Sequence, residues 1–263
     1  MRGLHISVSQ VKQYLRCPRQ YELSRVRGVE PAFVPVPLVF GTAFHAALAY
    51  FYSLLKETST PPPLVDLVQV FRDAWAKGTS GPVPLQGEED DSDVDHDAKG
   101  AAMLAAFHAH AVESPPCAVV EVERFFSVAL HDPDTGEVLE EELVGAWDLL
   151  IREGDRNVVV EHKSAARKYA ADQLRFDQQP TAYKLAARHL GLGEVGLRFQ
   201  VVSKTKVPAV QVVDLERNSC AEDDFLRTTV GVLRAIDAGA FYPVRGWQCR
   251  GCPYAHACPG APP

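Results

Sequence analysis

The run VLEEELVGAWDLLIREGDRNVVVEHK, residues 138–163, decides the fold. Its apolar residues are rich in valine, leucine and isoleucine, and Glu153-Gly154-Asp155-Arg156 interrupts them with the residues of a tight turn. The run reads as two antiparallel strands, 138–152 and 157–163. A third strand, 118–130, precedes them across the turn residues DPDTGE, 132–137. The three form a meander.

Alternation along the last strand sets the chemistry. Residues two apart on a strand share a face, so Glu161 and Lys163 stand together and His162 points away. The hairpin brings Asp148 beside them. Val158-Val159-Val160 reads as buried, and ionisable groups ending a buried strand must pair with each other or with a metal. Two readings stay open. One is a strand-end ion pair. In the other, Asp148 and Glu161 hold a hard divalent cation, Mg²⁺ or Mn²⁺, through oxygen. Lys163 then orients the attacking water and stabilises developing negative charge.

Working outward, Ser7-Val8-Ser9 can cap a helix over 10–23, which Pro18 breaks near Cys17. Residues 29–37 are proline-rich and extended. Helices follow at 41–56, carrying His45, at 64–77 and at 99–112, with a loop over 78–97. Beyond the meander lie a helix at 177–190, with Asp177 as its cap and Pro180 in its first turn, strands at 196–204 and 209–215, and a last helix at 221–238. This order predicts an α/β fold with a central mixed sheet flanked by helices. Nothing reads as a linker, so the expectation is one domain over 1–263.

The 263 residues carry a net charge of −7. The segment 87–97, GEEDDSDVDHD, holds seven acidic residues; without them 27 acidic face 27 basic residues. Global charge therefore neither supports nor excludes nucleic acid, and the run reads as a solvated, flexible acidic loop. The apolar stretches fall short of a membrane span, and the first residues lack the apolar region of a signal peptide, so the expected compartment is the cytoplasm.

Six cysteines in a reducing compartment point to metal ligation where the spacing supports it. Cys249, Cys252 and Cys258 form C-x2-C-x5-C, and Cys17 is a distant fourth thiol. Four thiolates suit Zn²⁺ or an iron–sulfur cluster. Cys117 and Cys220 have no such spacing and read as core or surface thiols.

The pattern Asp148…Glu161-x-Lys163 across adjacent strands resembles the PD-(D/E)xK nucleases. His45 in GTAFHAAL resembles the metal-binding histidine of the RecB-like branch, and Gln179-Pro180-Thr181-Ala182-Tyr183 matches its Q-x3-Y motif. Cys17 in YLRCPRQYEL, with the C-terminal cysteines, resembles the iron–sulfur subgroup, which includes the AddB nuclease domain and the CRISPR-associated RecB-like exonucleases. The resemblance spans 7–259. Two features depart from it: Trp147 precedes the aspartate, and the stretch 61–112 is longer than in compact CRISPR-associated members.

The resemblance implies a restriction-endonuclease-like core whose N- and C-terminal segments are joined by a 4Fe–4S cluster on Cys17, Cys249, Cys252 and Cys258. It implies metal ligation by His45, Asp148, Glu161 and the backbone carbonyl of His162. Lys163 is then catalytic with Asp148 and Glu161, while Gln179 and Tyr183 position the site or the strand. Taken alone, His45 reads first as a core histidine and gains its other reading only from the carboxylates downstream, while Gln179 with Tyr183 reads equally as a surface pair on one helix face. The implied activity is a Mg²⁺- or Mn²⁺-dependent DNA exonuclease acting on single strands or duplex ends, in repair, recombination or CRISPR spacer acquisition. Its partners are DNA and CRISPR adaptation or recombination proteins. The alternatives are a non-catalytic or partner-dependent DNA-binding subunit, or a zinc-stapled structural protein. Lys204-Thr205-Lys206, Arg167 and Lys168 are candidate phosphate contacts, and Tyr169 and Phe176 are candidate stacking platforms.

Overall fold

A computed structural model describes residues 5–87, 94–116 and 118–260. The centre of the acidic run, 88–93, and Cys117 lie outside them. In chain order the elements are β1 (His5–Ser7), α1 (Val8–Arg16), α2 (Pro18–Tyr21), a π-helical turn at Glu22–Val26, β2 (Val34–Pro35), α3 (Val36–Thr58) and α4 (Leu64–Thr79). There follow β3 (Leu85–Gln86), α5 (His96–Glu113), β4 (Ala118–His131), β5 (Val138–Glu153), β6 (Arg156–Ala165), α6 (Ala171–Arg175) and α7 (Gln179–His189). Last come β7 (Gly196–Ser203), β8 (Val210–Leu215) and α8 (Ser219–Asp237), then short 3₁₀ turns at Trp247–Cys249 and Ala255–Ala257. The chain divides into two compact units: Pro35–Phe125 with Ala146–Arg217, and Met1–Val34 with Phe126–Gly145 and Asn218–Pro263.

In the larger unit β5 and β6 pair antiparallel, with Leu149 opposite Val160. β6 and β7 pair parallel, with Val158 beside Gly196, and β7 and β8 return antiparallel. The sheet is mixed, as expected, because the connection through α6 and α7 is long enough for a parallel crossover. Leu149 and Ile151 of β5, Val158 and Val160 of β6 and Val202 of β7 pack against Phe44, Leu48 and Phe51 of α3 and Phe107 of α5. Leu174, Phe199 and Val201 form a separate cluster. Each fully buried phenylalanine in the α3 cluster contributes on the order of 2 kcal/mol.

The starts of α3 and α5 differ from the sequence reading. α3 begins at Val36, inside the stretch read as extended, because Pro37 falls in its first turn, where its missing N–H costs nothing. At 23 residues it is long and apolar enough to cross a membrane by length and composition alone. Phe40, Phe44, Leu48 and Phe51 are buried at helical spacing, the stripe of a core helix. α5 begins at His96, within the stretch read as loop, because Asp95 caps it by accepting from the Ala98 N–H at 2.9 Å. Gly100 then lets α5 approach α4: a Cβ there would overlap the Phe71 ring. The short α6 was not anticipated.

In the smaller unit β1 pairs parallel with the first half of β5, His5 beside Glu142. Ser7 and Gln10 form a reciprocal capping box at the start of α1. α1 stops at Cys17, whose extended backbone separates it from Pro18 at the start of α2. The break falls where the proline predicts it. The N-terminal segment is tied to the C-terminal one by ordinary hydrogen bonds. The Tyr14 hydroxyl donates to Ala240 O at 2.6 Å, Arg19 N–H to Tyr242 O at 3.1 Å, and Ala32 N–H to Pro253 O at 2.8 Å.

Candidate active site

The alternation of β6 places its side chains as its sequence predicts. Glu161 is 4% exposed. His162 turns to the opposite face, stacked on Tyr52 at 5.4 Å and edge-on to Phe107. Burial lowers its pKa to about 4, so the ring is neutral at pH 7. Continuing the β5–β6 register one step sets Asp148 opposite Glu161.

Asp148 is held through both oxygens. Oδ1 lies 3.2 Å from His45 Nδ1, and Oδ2 accepts the backbone N–H of His162 at 2.7 Å. Burial opposes the charged form of each partner. The mutual hydrogen bond and attraction outweigh it, so the pKa of His45 is raised and that of Asp148 lowered.

Glu161 belongs to a closed ring of four side chains. One carboxylate oxygen accepts from Lys163 Nζ and the other from the Tyr183 hydroxyl at 2.5 Å. Lys163 also donates to Gln179 Oε1 at 3.0 Å, and Gln179 Nε2 donates to the Tyr183 hydroxyl at 2.6 Å. Burial first, and then the charge of Asp148, raises the Glu161 carboxyl to about 7 against the pull of Lys163 and Tyr183. Burial opposes the charge of Lys163, but Glu161 outweighs it and the pKa is raised.

The ring is anchored from α7. Asp177 Oδ1 accepts the Gln179 N–H at 2.8 Å, but Asp177 is not the cap as expected: the helix starts at Gln179 and its N-cap is Gln178, with no side-chain capping bond. Arg217 donates to Leu174 O, Asp177 O and Thr181 Oγ1, which holds the start of α7 in place.

One acidic residue escaped the sequence reading. Glu123 on β4 has φ of 49°, a left-handed backbone that is uncommon for a residue with a side chain. His45, Glu123 and Asp148 each offer a ligand atom, all within 4.8 Å of one another. Burial, then the charge of Asp148, raises the Glu123 carboxyl. The structure thus gathers His45 and Asp148 with Glu123, while Glu161 is engaged by Lys163 and Tyr183. EVERFF carries no signal for the backbone turn that brings Glu123 in.

The sequence pattern of the PD-(D/E)XK nuclease superfamily matches residues 5–259. The chain belongs to the PD-(D/E)XK nuclease superfamily. No curated protein matches. Among solved structures, a protein from Eubacterium rectale named "Putative exonuclease" superposes with a TM-score of 0.56 at 12% identity, covering 99% of this chain and 90% of its own. That is a likeness of fold. A second structure, of SSO0001, has a TM-score of 0.40 at 14% identity, covering 97% of this chain and 96% of its own.

The superfamily's name describes the arrangement seen here, an acid followed by acid-x-lysine. In this PD-(D/E)XK chain Asp148 and Glu161 face each other across a hairpin, and Lys163 shares the face of Glu161. The oxygen and imidazole donors of His45, Glu123 and Asp148 fit a divalent cation.

The smaller unit holds the cysteines. Cys17, Cys249, Cys252 and Cys258 line one pocket with Arg19 and Arg245. The Cys252 thiol is pushed up by burial and by its neighbours Cys17, Cys258 and Cys249. Four cysteine sulfurs lining one pocket are soft donors of a kind that fits a metal group. Cys220 is exposed, a surface thiol.

Proposed function

We propose that this chain is a Mg²⁺- or Mn²⁺-dependent DNA exonuclease acting on single strands or duplex ends. The observation that carries the reading is the closed ring of Glu161, Lys163, Gln179 and Tyr183 beside the His45–Asp148 pair. It keeps a lysine charged and oriented in a buried site, an arrangement a surface ion pair does not need.

His45, Asp148 and Glu123 would hold the cation, with Glu161 and the His162 carbonyl as further oxygen donors. A bound cation would polarise the phosphoryl oxygens and offset the charge that develops in hydrolysis. The chain's own residues do the positioning. Lys163 directs a donor toward the attacking water and the phosphorane-like charge. Gln179 and Tyr183 fix Lys163 and Glu161, and Phe199 lies under the ammonium at 5.9 Å.

We infer that the four cysteines bind a 4Fe–4S cluster, which ties this chain to the iron–sulfur RecB-like branch. Four thiolates suit zinc as well as a cluster; the C-x2-C-x5-C spacing with the remote Cys17 supports the cluster through the resemblance to that branch. Work on DNA in repair, recombination or CRISPR spacer acquisition, in the cytoplasm and with partners from those pathways, completes the proposal.

The test is cleavage of end-labelled single-stranded and duplex DNA by anaerobically purified protein with Mn²⁺ or Mg²⁺, with Lys163→Ala alongside. Metal-dependent cutting lost in the variant supports the reading. A folded wild-type protein that cuts neither substrate overturns it.

A further inference from the structure

Charge is spread unevenly along the chain. Residues 1–34 and 238–263, the two segments that carry Cys17 and the C-terminal cysteines, hold eight basic residues and two acidic ones, Glu22 and Glu30. They are net +6 in a chain whose remainder is net −13. Both segments belong to the smaller unit. Glu22 is committed to Arg19 and to Arg27, the latter at 3.7 Å. No acidic residue follows Asp237 in the sequence. Arg16, Arg25, Arg27 and Arg250 are exposed.

The same segments present aromatic surface to solvent. Trp247 is 81% exposed and Tyr242 59%, although an indole is among the side chains with most apolar area to bury. The Arg16 guanidinium lies over the Trp247 ring, 5.6 Å from its centre. The ring stands on a braced backbone. Trp247 opens a 3₁₀ turn in which the Cys249 N–H donates to Gly246 O at 3.0 Å and the Arg250 N–H to Trp247 O at 3.2 Å. The Gln248 side chain donates to Val244 O at 3.1 Å, and a Cβ on Gly246 would come within 2.6 Å of Gln248 Oε1. Cations beside a cysteine-bound metal group can serve to offset its charge, and Arg245 is placed for that, with Nη1 3.7 Å from Cys258 Sγ. Among the described residues the cysteine sulfurs hydrogen-bond to Arg245 and to Val244 O, and neither Arg16 nor Arg250 takes part.

We propose that Trp247, Arg16 and Arg250 form a platform that binds an unpaired stretch of DNA, the indole stacking on a base and the guanidiniums pairing with phosphates. The identity of the ligand rests on the nuclease reading above. Stacking of this kind needs a base freed from its partner strand, and it tolerates any sequence because every base has a π-face. Arginine stays charged at any working pH, and its planar fork matches phosphate geometry while it stacks on an aromatic face. Arg16 thus serves the indole and the strand backbone together. A local charge of +6 on an otherwise acidic chain steers a polyanion to this face. An acidic protein would meet the same charge, but it has no base to cover the exposed indole.

The experiment measures binding of labelled oligonucleotides to the anaerobically purified full chain, without added Mg²⁺ or Mn²⁺, by fluorescence anisotropy over a series of salt concentrations. The probes are a single strand, the same strand with abasic sites, and a duplex closed at both ends. Wild type is compared with Trp247→Ala, Trp247→Phe and Arg16→Ala/Arg250→Ala, each checked for bound metal and melting temperature. Trp247→Ala should raise Kd for the intact single strand about tenfold and leave the abasic strand and the closed duplex unchanged. Trp247→Phe should keep most of the affinity. The arginine pair should make the slope of log K against log salt shallower by about 1.4 on the single strand, the change for two phosphates. Equal losses on intact and abasic strands in Trp247→Ala overturn the platform. If Trp247→Ala loses its bound metal, the arginine pair decides, and an unchanged slope overturns the platform. Unchanged Kd and slope in all variants, with a wild type that cuts DNA, overturn it and leave the nuclease reading standing. A wild type that neither binds nor cuts DNA overturns both.

Discussion

The ring of Glu161, Lys163, Gln179 and Tyr183 and the cysteine pocket are assembled by different physics. Glu161 and Lys163 meet because they stand two residues apart on one strand, and Asp148 joins them through a hairpin. Cys17 meets the C-terminal cysteines only because the chain ends fold together, through contacts such as Tyr14 to Ala240, 226 positions apart. In the ring, buried charges are satisfied by side chains of the protein itself. In the pocket, the four thiols share the lining with Arg19 and Arg245, and Arg245 lies 3.7 Å from Cys258 Sγ. A site that satisfies its own charges survives loss of a bound group; a site of converging thiols depends on it.

Lys163→Ala gives the sharpest test on the side of the ring. DNA cleavage should fall by about 10²–10³-fold, the scale for removing one oriented donor of transition-state charge, while the melting temperature and any cysteine-bound metal are unchanged. A variant that loses its metal as well as its activity would break the separation between the two regions.

Cys252→Ser carries the next largest effect. Absorption near 400 nm and bound iron should disappear, with a loss of several kcal/mol, because binding free energy at such a site is folding free energy. Anaerobic spectra with iron and zinc analysis, together with thermal melts, check it. Zinc in place of iron would retain the staple but overturn the cluster.

Tyr183→Phe should reduce cleavage by about tenfold, since it removes the hydroxyl that donates to the Glu161 carboxylate and accepts from Gln179, a net loss on the order of 1.5 kcal/mol. The drop should appear in kcat with KM for DNA little changed. Glu123→Gln should raise the Mn²⁺ concentration needed for half-maximal cleavage by several-fold to tenfold, because a neutral amide is a weaker donor to a hard cation. An unchanged metal requirement would exclude Glu123 from the cation site.

The smallest effect concerns the smaller unit alone. Asp132 is buried and accepts from the Asp134 N–H and from Arg234 at 2.5 Å. The backbone hydrogen bond from Asp134 leads in holding its carboxyl below the usual carboxylate value, against burial. Its folded pKa therefore lies below the unfolded value near 3.9. The stability it contributes is present above about pH 4 and is lost as pH falls through the folded value. Asp132→Asn should flatten the acid limb of a pH–stability curve and leave neutral cleavage unaltered.

Much of the fold was legible because its signals are local. Strand alternation separated Glu161 and Lys163 from His162, and Pro18 marked the break at Cys17. The starts of α3 and α5 were less legible, since an N1–N2 proline and an Asp95 cap compete with the proline-rich and acidic composition around them. Among the site residues, His45, Asp148, Glu161, Lys163, Gln179 and Tyr183 were all readable as candidates, but their bonding partners were not.

What the sequence by itself determined is the set of residues that share a strand face or a helix turn, because periodicities of two and 3.6 belong to the backbone. The left-handed turn at Glu123 that completes the His45–Asp148 group, and the meeting of Arg16 with Trp247 from opposite ends of the chain, were decided only by tertiary structure. Neither has a repeating local signal: each depends on which distant side chains pack alongside, and so exists only once the chain has folded.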